Sequence, residues 1–110
     1  MEKHAETIYG QTGGCWVGRN SWLSKEWTWP FAGMYIYRDE LVLSMSFRRY
    51  CFPRAEISQI HRYYRGLRYG LQIEQTRRDI PRFIVFWARD VEEFEGALDA
   101  NAFPIAMPSV

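Results

Sequence analysis

Polar and apolar positions alternate with period two over much of the chain, which predicts strands. Leu41, Leu43, Met45 and Phe47 share one face, while Val42, Ser44 and Ser46 share the other. Just upstream, Met34-Tyr35-Ile36-Tyr37-Arg38 has strong β-propensity. Only the polar pair Asp39-Glu40 separates the two runs, so they read as a hairpin. Leu67, Tyr69, Leu71 and Ile73 alternate with Arg68, Gly70, Gln72 and Glu74, the cleanest strand pattern in the sequence. Phe83 to Ala88 is apolar on both faces, as expected of a strand buried on two sides or covered by another segment.

Less regular stretches fill the gaps. A strand is expected over 20–28, with Pro30 breaking the ladder or sitting at an edge. A short extended piece spans 50–53, and a strand with a bulge spans 57–64. The period then changes. Val91, Phe94 and Leu98 fall at i, i+3 and i+7, one apolar stripe of a helix. Asp90 with Glu93 three residues on is a capping signal, and Asn101 ends the helix. The result is six or seven antiparallel strands followed by one amphipathic helix. The fold class is mainly β, a bent barrel capped by that helix. Residues 1–14, with Gly10, Gly13 and Gly14, read as a flexible arm, 15–103 as the domain and 104–110 as a tail.

With 110 residues there is room for one core. The longest nearly uncharged stretch, Trp27 to Tyr37, is far short of the ~20 residues of a membrane helix. The start, MEKHAETIYG, has no apolar run of the secretory kind. Cys15 and Cys51 form no CxxC, and His4 and His61 lie outside zinc-site spacing, so no metal or cofactor is expected. A cytoplasmic protein with reduced thiols follows.

Charge adds an asymmetry to this picture. Residues 1–37 are neutral, 38–82 carry +5 and 83–110 carry −4. The basic middle interleaves arginine with aromatics in Phe47-Arg48-Arg49-Tyr50 and in Arg62-Tyr63-Tyr64-Arg65-Gly66-Leu67-Arg68-Tyr69. Arginine forks phosphates and carboxylates, and the rings stack on planar groups. Arg48, Arg49, Arg62, Tyr63, Tyr64, Arg65 and Arg68 are therefore the candidate ligand-binding residues. Cross-strand packing is the plainer reading of the same cluster. Aromatics exceed what a small barrel needs, which makes Trp22, Trp27 and Trp29 a candidate interaction surface for a protein partner or a second copy.

Enzyme chemistry finds little support. Gly10-Gln11-Thr12-Gly13-Gly14 lacks the lysine of a phosphate loop. Cys51 and Cys15 read as apolar filler, His61 as an ordinary residue, and Glu92, Glu93 and Glu95 as a solvated helix face.

One resemblance joins these pieces. Trp29-Pro30-Phe31-Ala32-Gly33-Met34, Asp39-Glu40-Leu41, Phe52-Pro53-Arg54 and Ile57 occur in order, before Gly70-Leu71-Gln72-Ile73-Glu74 and Ile80-Pro81-Arg82-Phe83-Ile84-Val85-Phe86-Trp87. This series resembles the bacterial pleckstrin-homology (PH)-like domains, a family of uncharacterised proteins. The resemblance implies a seven-stranded bent barrel and a binding scaffold for phosphoinositide head groups, peptides or proteins. The expectation is a non-enzymatic module for protein–protein contact or peripheral attachment to an anionic phospholipid surface. Single-stranded nucleic-acid binding through the Arg/Tyr patch is the alternative, and a small enzyme comes third.

Overall fold

The computed structural model describes residues 7–106 apart from Ser21, Leu23 and Phe47. Seven strands precede one helix: β1 (Tyr9–Gly18), β2 (Ser24–Ile36), β3 (Glu40–Met45), β4 (Arg49–Pro53), β5 (Ile57–Arg65), β6 (Arg68–Gln75), β7 (Phe83–Ala88) and α1 (Val91–Ala100). They form one antiparallel sheet in the order β4-β3-β2-β1-β7-β6-β5, curled into a half-barrel. A 3-10 turn, Arg54–Glu56, joins β4 to β5. The mainly β architecture with one C-terminal helix is the expected class. Phe47, expected on the β3 core face, lies outside the described residues.

The amino-terminal expectation needs correction. Residues 9–14 are the first half of β1, paired with β2 from Tyr9↔Ile36 to Gly13↔Ala32. Glycines here serve close approach of backbones, so the weak apolar period concealed a strand. Residues 1–6 lie outside the described residues.

β2 joins the strands expected at 20–28 and 34–38 into one element, and Pro30 breaks the ladder within it, as the sequence predicts. Cys15 pairs with Trp27 and Gly13 with Ala32, so Thr28, Trp29, Pro30 and Phe31 stand opposite Gly14 alone. This wide bulge gives the proline a place outside the ladder. It pushes Trp29 and Phe31 into solvent, where they are 59% and 60% exposed. A Cβ on Gly14 would lie 2.6 Å from the Trp27 carbonyl oxygen, so glycine permits this approach.

The concave face and α1 enclose the core. Met34, Leu43, Phe52, Leu71, Ile84 and Phe86 meet Phe94 and Leu98 there. Val91 packs at the margin of this core. Asp90 caps α1 by accepting from Glu93 N at 3.1 Å. Gln11 of β1 clamps the same cap, accepting from Asp90 N and donating to Asp90 O, each at 2.7 Å. At the other end Arg54 donates to Asn101 O at 3.1 Å, where the helix dipole favours a cation.

Two further details differ from expectation. Leu67 leaves the apolar face of β6 and sits fully exposed in the Gly66-Leu67 turn. Gly66 takes φ 65° there, a conformation glycine adopts freely. The expected tail is docked on the sheet as far as Ala106. Ile60 N donates to Pro104 O and Ala106 N donates to Ile60 O, so this segment lies along β5. The expected bulge in β5 falls between Ile57 and Gln59.

Candidate functional site

Alternation along β5 and β6 decides the fate of the arginine–aromatic cluster, because neighbouring residues point to opposite faces. Arg62 and Tyr64 turn to the helix side, while Tyr63 and Arg65 turn to the outer side. The cluster is therefore two sites.

On the helix side, Arg62 forks Glu95 of α1, with Nε–Oε2 at 2.8 Å and Nη2–Oε1 at 3.0 Å. Tyr69 donates to Glu95 Oε1 at 3.2 Å, and Arg62 donates to Tyr64 Oη at 3.2 Å. The guanidinium lies 4.1 Å from the Tyr69 ring centre. Glu95 is 2% exposed. The expectation of a solvated Glu95 is thus overturned, because a buried carboxylate has found two donors. The Glu95 hydrogen bonds hold the Arg62 guanidinium above its ordinary pKa. Burial, then the Glu95 charge, raises the Tyr69 phenol. Arg62 is committed to this pair rather than free for a ligand, and Tyr64 packs on Tyr69.

The outer side is different. Trp16, Tyr63, Phe83 and Trp87 form a ring cluster with centroids 5.1–6.2 Å apart. It covers Val85 and buries Phe83 among the rings, which explains why β7 reads as apolar on both faces. Gly70 lies between Tyr63 and Trp87. A Cβ there would come within 2.9 Å of Trp87 Cδ2. The buried Trp87 Nε1 has no acceptor among the described residues.

Beside this cluster a groove of about 520 Å³ opens. Trp16, Trp27, Trp29 and Trp87 contribute to its lining. Arg65, Arg68 and Arg89 supply its cations and Glu26 its carboxylate. Arg65 and Arg68 are direct cross-strand partners at the β5–β6 turn. Like charges in that relation repel. Among the described residues, neither they nor Arg89 form an ion pair, whereas Arg54, Arg62 and Arg77 do. The Arg65 guanidinium sits 5.1 Å from the Trp16 ring centre. This layering holds the guanidinium in place.

The groove brings together Arg65 and Arg68 with Trp27 and Trp29, and Tyr63 supports its floor through Trp16 and Trp87. Arg48 and Arg49, at the β3–β4 turn, do not line it, and Arg48 donates to Tyr50 Oη at 3.4 Å. Trp22 is 90% exposed on the β1–β2 turn, outside the lining. Sequence reasoning missed Trp16, Trp87, Arg89 and Glu26 as lining residues. The two-faced apolar run of β7 was the available signal for Trp87; Trp16 and Arg89 depend on the β1–β7 pairing and Glu26 on the β1–β2 pairing. His61 bonds Glu74 on the outer face. Cys51, expected as buried filler, is exposed, because its β4 position faces away from the core.

No protein family model matches the chain, and no curated protein and no solved structure matches it. Among the described residues, no helix is long and apolar enough to cross a membrane, and no group of three or more His, Cys, Asp or Glu is placed to hold a metal ion.

Proposed function

We propose that this chain is a non-catalytic binding module of the PH-like kind, whose working surface is the Trp/Arg groove and whose partner presents clustered negative charge. The facing pair Arg65 and Arg68, with Arg89 beside them and no carboxylate engaged among the described residues, carries this reading. A fold that sets like charges across a hairpin loses stability there, and an anionic ligand restores it. The indoles offer apolar contact next to the charge, a combination enriched at recognition surfaces. Acidic protein segments, anionic phospholipid surfaces and nucleic-acid strands all present such groups.

The test is a titration of tryptophan emission with heparin, a polyanion without apolar groups, at low salt. The wild type should respond and an Arg65→Glu/Arg68→Glu variant should not. Pelleting with phosphatidylserine-containing and phosphatidylcholine vesicles separates a lipid partner from a soluble one. An unresponsive wild type, or an equally responsive variant, sinks the proposal.

A further inference from the structure

We infer that the groove binds single-stranded nucleic acid, an assignment that rests on reading the groove as an anion site. Two observations combine. Arg65, Arg68 and Arg89 come from β5, β6 and the residue after β7, so their cations follow one another across neighbouring strands. Adjacent strands lie roughly 4.8 Å apart, and a cation on each suits a chain with an anion in every repeat. Beside this row the bulge holds Trp29 with more than half its surface in solvent, and Trp16 lines the groove beneath Arg65. Cations along a backbone with an exposed ring for a base is the way sheets hold single strands without reading sequence.

The arrangement favours bases over acidic side chains. An acidic peptide satisfies the arginines and leaves the exposed Trp29 face without a planar partner. A nucleic-acid strand uses both, one repeat at a time. Glu26 orients the strand, because it repels phosphates from the β2 wall and leaves that wall to the bases. Arg65, held on Trp16, needs little ordering to fork a phosphate.

The experiment measures fluorescence anisotropy of a labelled oligothymidylate of about 12 nucleotides, within the span single-strand sites cover. A strand of equal length and charge without bases runs beside it. A poly-glutamate peptide competes in a third arm. The oligothymidylate should bind about tenfold more tightly than the abasic strand, the worth of about one stacked base. Trp29→Ala should remove that tenfold preference, and Trp29→Phe should keep most of it. With about three phosphates neutralised, log affinity should fall with log salt at a slope near −2. Arg68→Ala should lower that slope by about 0.7. An Arg48→Glu/Arg49→Glu variant, altered outside the groove, should bind as the wild type does.

Equal binding of the abasic strand overturns the inference, and so does poly-glutamate displacing the oligothymidylate at equal charge. If heparin still quenches the indoles while the oligothymidylate does not bind, the anion site stands and the nucleic-acid assignment falls. If heparin also fails, both fall together.

Discussion

Arg62 of β5 and Glu95 of α1 form a two-pronged ion pair that ties the helix to the edge strand, with both prongs at 3.0 Å or less. The pair is internal, since Glu95 is 2% exposed. Breaking one side strands a charge, whereas replacing both with apolar groups does not. Arg62→Met should therefore cost about 3–5 kcal/mol in urea unfolding. The double variant Arg62→Met/Glu95→Leu should recover most of it. A loss under about 1 kcal/mol for the single variant would show that Glu95 finds water instead.

Tyr69 makes the same cluster sensitive to alkali. Burial and the Glu95 charge raise its phenol above the ordinary 10.0. The folded state thus prefers the protonated ring, and the unfolded chain ionises first as pH rises. That stability is complete below about pH 10 and is lost as pH climbs through the raised folded value. Urea midpoints followed from about pH 9 upward should fall less steeply for Tyr69→Phe than for the wild type. Parallel alkaline limbs would refute the assignment.

Gly70 is the opening through which Tyr63 and Trp87 meet. Its added Cβ would press on Val85 Cγ1 at 2.8 Å and on the Phe86 carbonyl oxygen at 2.9 Å. The oxygen is backbone and has little room to yield. Gly70→Ala should cost about 1–3 kcal/mol as overpacking. Near-ultraviolet circular dichroism should show the indoles displaced, and an unchanged spectrum with unchanged stability would contradict the packing described.

The facing arginines set stability against binding. Arg68→Glu converts a repelling cross-strand pair with Arg65 into an attracting one. It should raise stability by about 0.2–1 kcal/mol while it abolishes the heparin response. Thermal melts of the unliganded proteins check the first half. A destabilised variant would mean that Arg68 has a structural partner.

The two thiols should separate by reactivity. Burial pushes the Cys15 thiol up to about 12, and Cys51 lies exposed on β4. Ellman's reagent at about pH 8 should titrate one thiol quickly in the native protein and the second only after unfolding. Substituting Cys51→Ser should remove the fast phase.

Much of the fold was legible because local rules set it. The alternation at Leu41–Met45 and at Tyr69–Ile73 identifies strands. The capping signal at Asp90 places the helix start. β1 was not legible, because its glycines carry no apolar period. Their purpose lies in backbones and rings that approach from β2 and β7. Glu95 was misread for a similar reason: nothing near it in sequence announces Arg62, 33 residues away.

The sequence by itself determined the strand-rich class, the turns, the terminal helix and the excess of arginine and tryptophan. Only the tertiary structure decided which of those residues meet. A two-residue period assigns neighbouring side chains to opposite faces, and it divided one arginine–tyrosine run between a buried ion pair and an open groove. The groove itself exists because β1 pairs with β7 and β2 bulges at Thr28–Phe31. The β1–β7 pairing joins residues more than 60 positions apart, as in Gly14↔Trp87, and its register is settled by burial of the core face rather than by local propensity.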